Sequence, residues 1–366
     1  MITHYQSLPP HELYKLLWAS RRDITRVESI LREYFGKPVV VLNAARTGLY
    51  LTLAAKGFKR TDEVLVPPYM SKCVLNTITE CAVPTLHVSP ATKAILLVHQ
   101  FGYPQNMDKV MALARTHNLL VIEDSAASFG STYRGQRVGS FGDAAIFTFP
   151  KAFQTILGGC LVTKDKEILD FAHAYLRKQD TFVWRCVSTL ALLPPVFDTS
   201  TVWPWVRRIA NHLLTVSYSQ FIYFPNPNER VCHLFPKTLD EFLCQIEIRK
   251  RNLAIFKSYF AGTPAYPKSM EDNSDIVPFF IPYFTDYDQL AYLIRALAEQ
   301  GIESALYHFD VHRNMFAPRY APSLIVPCHQ GISKAQMHRI CATLVRTSST
   351  APFPRSSAYG RATTLL

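Results

Sequence analysis

The chain has 366 residues, more than a single hydrophobic core usually supports, and this length predicts two packed domains. Hydrophobic residues make up 48% of the sequence and charged residues 18%, a composition that excludes a wholly disordered protein. Lys and Arg number 39 against 28 Asp and Glu, which gives a formal net charge of +11. Because the basic residues are scattered, the excess favours a phosphorylated small ligand over a nucleic acid.

No apolar run reaches the roughly 18 residues of a membrane-spanning helix, and the first residues lack the apolar centre of a signal peptide. We therefore expect a soluble, cytoplasmic protein. The eight cysteines form no CxxC pair. They are predicted to be reduced core residues, and no metal site is expected.

From residue 38 onward, short apolar and β-branched runs alternate with amphipathic stretches. The runs are predicted strands at 38–42, 63–67, 84–88, 94–101, 119–124, 144–149 and 158–163. The main predicted helices between them cover 47–58, 71–82 and 107–118. This alternation predicts an α/β fold with a mostly parallel central sheet that is covered on both faces. Ligands of such sheets bind beyond the carboxyl ends of the strands.

The rhythm changes after residue 180. Residues 181–235 are rich in proline and aromatic residues, which excludes one long helix and favours packing in a core or interface over a lid or a membrane-contacting surface. A basic helix from about Gln245 leads into a smaller α+β region. We expect a large domain over residues 1–248, a small C-terminal domain over 249–348 and a disordered tail over 349–366.

Asp124 ends the strand LLVIED and is followed by small residues, so a flat ligand could reach its carboxylate. The carboxylate could bind a ribose hydroxyl, a metal or a protonated ring nitrogen, or it could be a cap or a buried ion pair. Binding of a ribose hydroxyl normally needs a glycine-rich turn of the GxGxxG type, which the sequence lacks. No neighbouring ligands support a metal.

Lys151 follows the next strand, AAIFTF, in apolar surroundings. Most lysines are simply solvated, but a strand-end lysine paired with a strand-end carboxylate matches the arrangement that binds pyridoxal phosphate. The phosphate would then need a cradle. The segment NAARTGLY offers Arg46 and Thr47 at the start of a helix, whose free N–H groups favour an anion, and Thr148 could add a hydroxyl.

These segments together resemble the DegT/DnrJ/StrS family of sugar aminotransferases. The resemblance covers about residues 38–175 and includes NAARTGLYLTL, AILLVHQFGYPQNMD, VIEDSAASFGSTYRGQRVGSFGDAAIFTF and GGCLVTKD in family order. The YxGxxVGxFGDAxxF stretch is its most specific part. The C-terminal third resembles the family more loosely, through RKRNLAIFKSYFAG and GIESALYHFDVH. The family implies the fold-type-I architecture of pyridoxal phosphate enzymes and a homodimer.

The resemblance also implies residue roles. Asp124 matches the aspartate that protonates the pyridine nitrogen, and Lys151 matches the Schiff-base lysine. The implied cofactor-binding residues are Ala45, Arg46, Thr47, Tyr69, Asp124, Ser128, Thr148 and Lys151, and the implied substrate residues are Tyr307, His308 and His312.

The sequence departs from the family pattern at several positions. Ala127 replaces a glutamine that contacts the cofactor, leaving Ser128 as its polar neighbour, and Ser71 replaces the ring-stacking aromatic, leaving Tyr69 two places earlier. Two residues are missing between Thr148 and Lys151. Residues 236–242, PKTLDEF, lack the asparagine and arginine that reach the partner subunit's site in the family.

The resemblance implies an aminotransferase that takes an amino group from glutamate or glutamine and passes it to the ketone of a nucleotide-linked sugar. Two alternatives remain at this stage. One is a pyridoxal phosphate-dependent sugar dehydratase, which the presence of Lys151 disfavours. The other is a divergent homologue with weak or no transaminase activity that binds a ligand, a partner or a membrane surface, which the departures motivate.

Overall fold

A computed structural model describes residues 2, 18–155, 157–179, 222, 224–270 and 274–350. Its centre is a seven-stranded sheet in the order β1-β9-β8-β5-β4-β2-β3. Strand β9 runs antiparallel to both neighbours, and the other neighbouring pairs are parallel. The strands are β1 (Val39–Leu42), β2 (Glu63–Leu65), β3 (Val83–Thr85), β4 (Thr92–Val98), β5 (Leu120–Asp124), β8 (Ala144–Thr148) and β9 (Gly159–Thr163).

Helices cover both faces of this sheet because the central strands are apolar on both sides; Ala94 to Leu97 in β4, for example, are fully buried. Side-chain caps fix several helix starts: Asn106 accepts the Lys109 N–H and Asp165 accepts the Ile168 N–H. The helices around the sheet are α1 (Arg21–Phe35), α2 (Ala45–Ala55), α3 (Lys72–Thr79), α4 (Met107–His117), α5 (Phe149–Ala152), α6 (Lys166–Lys178) and α7 (Glu229–His233).

The C-terminal region is built on a separate antiparallel sheet in the order β11-β13-β12. A long helix, α8, enters this region, and one apolar cluster joins its buried face to the sheet through Leu253, Phe256 and Leu324. A third sheet consists of short strands in the order β10-β6-β7. The elements are α8 (Leu239–Phe260), β6 (Thr132–Tyr133), β7 (Gln136–Arg137), β10 (Ser274–Asp275), β11 (Phe280–Phe284), α9 (Tyr287–Glu299), β12 (Ala305–Asp310), β13 (Tyr320–Pro327) and α10 (Lys334–Thr350).

The fold confirms the seven predicted strands and the mostly parallel sheet. The expected domain limit at 248/249 falls inside the continuous helix α8, and the two-domain division stays a prediction. Most of 181–235 and the tail from 351 lie outside the described residues. Within the described ranges, no helix combines the length and the apolar character needed to cross a bilayer.

Candidate active site

A cavity opens at the carboxyl ends of β4 and β5, and the C-terminal sheet closes its far side. Asp124 and Lys151 both line it, so the structure brings the two predicted reactive residues to one site. Tyr307 and Tyr320 line it from the C-terminal sheet, and the cavity volume is about 120 Å³. The cavity thus lies at the edge where doubly covered parallel sheets bind their ligands.

Asp124 is the last residue of β5 and is only 7% exposed. Its Oδ1 accepts the Ala126 N–H at 3.0 Å. Burial raises the pKa of the Asp124 carboxyl, while the Lys151 charge and the Ala126 N–H lower this pKa. The burial effect prevails, so the ionised carboxylate gains from a cationic partner, and a protonated ring nitrogen is such a partner.

Lys151 lies in the single turn of α5, which Pro150 opens. Its Nζ is 6.0 Å from the centre of the Phe279 ring, and the side chain is half-buried. Ala126 and Ala127 also line the cavity, and their methyl groups leave room for a flat ligand near Asp124. The amine and the carboxylate therefore share a cavity whose walls combine apolar side chains with polar ones such as Gln100 and Asp310.

Glu123, the residue before Asp124, is a functional candidate that the sequence analysis missed. It is fully buried, and its carboxylate accepts three backbone N–H groups of the following glycine-rich turn. Oε1 binds Phe141 at 2.8 Å and Gly142 at 2.7 Å, and Oε2 binds Gly139 at 2.8 Å. A charged residue inside an otherwise apolar strand was the available signal.

His99 is the fourth partner of this carboxylate. Its Nε2 lies 3.2 Å from Oε2 of Glu123, and its Nδ1 accepts the Gln105 N–H at 3.1 Å. We therefore assign the proton to Nε2, which donates to Glu123. The neutral ring lines the cavity, and the His99 N–H donates to the Asp124 carbonyl at 3.1 Å. Glu123 thus fixes the tautomer and position of a ring beside Asp124.

The predicted phosphate residues gather near the N-terminus of α2. A Cβ on Gly159 would lie 2.6 Å from the Ala45 nitrogen and 2.4 Å from the Phe147 carbonyl, so only glycine lets β9 pass this close. Thr148 pairs with Gly159 across β8 and β9, which places Thr148 and Ala45 near each other. The first N–H groups of a helix have no partner within it and favour an anion.

The burial of Thr47 and Arg46 bears on their predicted roles in phosphate binding. Thr47 is fully buried, and its hydroxyl donates to the side chain of Asn43, so it supports the turn from within. Arg46 is half-buried. Ala45, Arg46, Thr47 and Thr148 lie outside the lining of the cavity around Lys151.

The remaining predicted residues separate into two groups. Tyr69 and Tyr307 meet edge to face at the cavity, with ring centres 5.6 Å apart. His308 points elsewhere and shares a hydrogen bond of 2.6 Å with the Tyr287 hydroxyl, and His312 is exposed and outside the lining. Ser128 is also outside the lining because its buried hydroxyl donates to the His99 carbonyl.

These observations fit a phosphorylated pyridine aldehyde. The buried carboxylate suits the ring nitrogen, the amine suits the aldehyde, and the N-terminus of α2 suits the phosphate. A Cβ on Gly159 would contact backbone atoms, so glycine lets β9 pack closely against the start of α2. Ser71 lines the cavity at the position where the family resemblance implies a ring-stacking aromatic residue.

Part of the chain is similar to a known family of proteins. Residues 78–180 match the model of the DegT/DnrJ/EryC1/StrS aminotransferase family. The chain is 38% identical over 168 residues to GDP-perosamine synthase of Caulobacter vibrioides, an alignment that covers 40% of this chain and 45% of the relative. It is 45% identical over 84 residues to UDP-N-acetyl-3-dehydro-alpha-D-glucosamine 3-aminotransferase of Acidithiobacillus ferrooxidans, which covers 22% of this chain and 23% of the relative.

The alignments therefore span less than half the length of these curated relatives. The structural likeness is more extensive. A putative sugar aminotransferase of Streptococcus pneumoniae, solved in its PMP form, superposes with a TM-score of 0.69 at 19% identity and covers 94% of this chain and 98% of its own. The predicted fold-type-I architecture is confirmed, and the family resemblance is confirmed over residues 78–180.

Proposed function

We propose that this chain, in which residues 78–180 belong to the DegT/DnrJ/EryC1/StrS aminotransferase family, is a pyridoxal phosphate-dependent aminotransferase. Its amino donor is an amino acid, glutamate or glutamine, and its acceptor is the keto group of a nucleotide-linked sugar. The observation that carries the proposal is that Asp124 and Lys151 line one cavity at the carboxyl edge of the sheet. The nucleotide-linked sugars in the names of both curated relatives support the acceptor class.

Each residue then has a definite task. The amine of Lys151 would hold the cofactor through its aldehyde and, once free of it, would move a proton at the reacting substrate carbon, and the carboxylate of Asp124 would hold a proton at the ring nitrogen. The bound cofactor supplies an electron-withdrawing ring that stabilises negative charge on that carbon. The N-terminus of α2 binds the phosphate, and Thr148 adds a hydroxyl beside it.

The aromatic side chains at the mouth provide the substrate surface. Tyr69 is 46% exposed and contacts Tyr307 and Tyr320, so these rings present a partly open face where the sugar nucleotide would enter. Burial raises the pKa of the Tyr307 hydroxyl, which keeps this group protonated as a hydrogen-bond donor.

Two further parts of the proposal concern the setting of the enzyme. We propose a homodimer, in line with the family resemblance. We also propose a cytoplasmic location, which the seven free cysteines among the described residues favour because reducing compartments keep thiols free.

The cofactor is tested by spectroscopy and reductive labelling. The protein is mixed with pyridoxal phosphate, its visible spectrum is recorded, and it is treated with borohydride before peptide mass analysis. We expect a visible band and a label on Lys151, both lost in Lys151→Ala. Lys109→Ala, on the exposed surface of α4, is the control and should keep both. A Lys151→Ala protein with an unchanged band would refute the role of Lys151.

The reaction is tested with isotopically labelled glutamate and a GDP- or UDP-linked keto sugar. Transfer of labelled nitrogen to the sugar supports the aminotransferase. Loss of water from the sugar would instead identify a dehydratase. An unchanged sugar with a normal cofactor band would identify a homologue that binds the cofactor without transamination.

A further inference from the structure

Arg249 is a buried cation whose contacts reach the backbone of Lys151. It lies in the middle of α8 and is 5% exposed. Its Nη2 donates to the carbonyls of Lys151 at 3.0 Å and Ala152 at 3.2 Å. Its Nη1 donates to the Pro278 carbonyl at 3.2 Å, and its Nε donates to Oε1 of Gln330 at 3.0 Å.

None of these four acceptors is a carboxylate, which makes the arrangement costly for a charged side chain. Burial accordingly lowers the pKa of the Arg249 guanidinium. The planar guanidinium fork can hold several acceptors at fixed angles, which a lysine ammonium cannot do. The Arg249 side chain therefore defines the relative positions of the carbonyl groups that it binds.

The turn that carries Lys151 is short, and the buried Phe149 and Phe153 lie at its two ends. Helix α5 has only four residues, and a helix of that length leaves its last carbonyls without intrahelical partners. Arg249 donates hydrogen bonds to two of those carbonyls, those of Lys151 and Ala152. The direction in which the Lys151 side chain leaves the turn follows from the orientation of this peptide.

The other two acceptors belong to the C-terminal region. Pro278 precedes β11, and Gln330 follows β13. The Phe279 ring, next to Pro278, is also the ring that lies 6.0 Å from the Lys151 amine. One guanidinium thus connects the backbone of the lysine with the two segments that bring the C-terminal sheet over the cavity.

We propose that Arg249 is a positioning residue that sets the direction of the Lys151 amine and couples it to the C-terminal region. The inference rests on the proposed function in one respect, that Lys151 is the amine that binds pyridoxal phosphate. Arg249 does not contact the cavity and acts through the Lys151 turn.

The test compares Arg249→Lys with Arg251→Lys. Arg251 lies two residues further along the same helix, and its guanidinium donates to Asn252 and to the Ile332 carbonyl. The readouts are the rate at which pyridoxal phosphate and borohydride label Lys151 and the pH dependence of the visible band. We expect Arg249→Lys to slow labelling about tenfold to a hundredfold and to shift the pH profile, since a misplacement of about 1 Å has effects of this size. Arg251→Lys should stay within about twofold of the parent.

Gln330→Ala provides a second variant in case Arg249→Lys does not fold. It removes the acceptor of the Nε donor while leaving the guanidinium in place, and we expect labelling to slow about twofold to fivefold. Folding of every variant is checked by circular dichroism. Unchanged labelling and pH profile in folded Arg249→Lys, or in Gln330→Ala where the first does not fold, would overturn the inference. An equal loss in Arg251→Lys would also overturn it. If the parent protein itself is not labelled at Lys151, the proposed function fails instead.

Discussion

The carboxylate of Glu123 offers the sharpest test of how the site is supported. Four donors point at it, three backbone N–H groups and the Nε2 of His99, and they divide equally between its two oxygens. In Glu123→Gln one oxygen becomes an NH₂ group of nearly the same size. Whichever way the amide turns, two donors then face another donor.

The expected cost follows from these contacts. Hydrogen bonds to a charged acceptor contribute about 1.5–3 kcal/mol each, so two lost bonds with partial relaxation should lower the free energy of unfolding by about 3 kcal/mol. Changing the His99 tautomer does not solve the conflict, because a proton on Nδ1 would face the Gln105 N–H. For a chain of 366 residues each kcal/mol shifts the melting temperature by about 1.3 °C, so the melting temperature of the cofactor-free protein should fall by about 4 °C.

The assay is thermal unfolding of the cofactor-free protein, with Asp143→Asn as the matched control. Asp143 accepts the Val121 N–H through one oxygen, and an amide oxygen can accept the same bond. Its cost should stay below about 1 kcal/mol. A melting temperature for Glu123→Gln as close to the parent as that of the control would show that the turn around Glu123 rearranges freely, contrary to our reasoning.

Two further predictions concern the cofactor end of the site. Burial raises the pKa of the Asp124 carboxyl above 3.8, so the ionised carboxylate destabilises the fold at neutral pH. Asp124→Asn should therefore have a higher melting temperature than the parent at neutral pH, and this advantage should disappear as the pH falls through the Asp124 pKa. The same variant should bind pyridoxal phosphate about tenfold to a hundredfold more weakly by spectral titration. An advantage that persists below pH 3.8 would contradict this. Gly159→Ala should lower stability by about 1–3 kcal/mol in thermal melts, because its Cβ would meet backbone atoms; an unchanged melt would show that β9 can move.

The sequence predicted the sheet well because its strands are apolar on both faces and short, a pattern that few other arrangements can satisfy. It also predicted that Asp124 and Lys151 would share a site, since Asp124 ends one strand, Lys151 follows another, and both carboxyl ends lie at the same edge of the sheet. The strand boundaries alone are therefore enough to predict which residues come together at this edge of the sheet.

Side-chain direction was harder to predict. Tyr307 and His308 are neighbours on β12, and alternation along the strand sends Tyr307 to the cavity and His308 to Tyr287. The roles of His99 and Glu123 depend on the glycine-rich turn, which lies far from His99 in sequence and meets it only in the fold. The contacts of Arg249 are equally long-range, and an arginine on a basic helix gives no sequence signal of burial.

The single reversed strand of the central sheet, β9, has a consequence for how this protein could change. The segment with Lys151 connects β8 and β9, which pair where Thr148 faces Gly159. We expect insertions or deletions in this connection to change the position of Lys151 while the pairing of the two strands is kept. The two-residue shortening that the family resemblance implies before Lys151 would be a difference of this kind, and substitutions in this connection are a way to change by design how far the amine reaches.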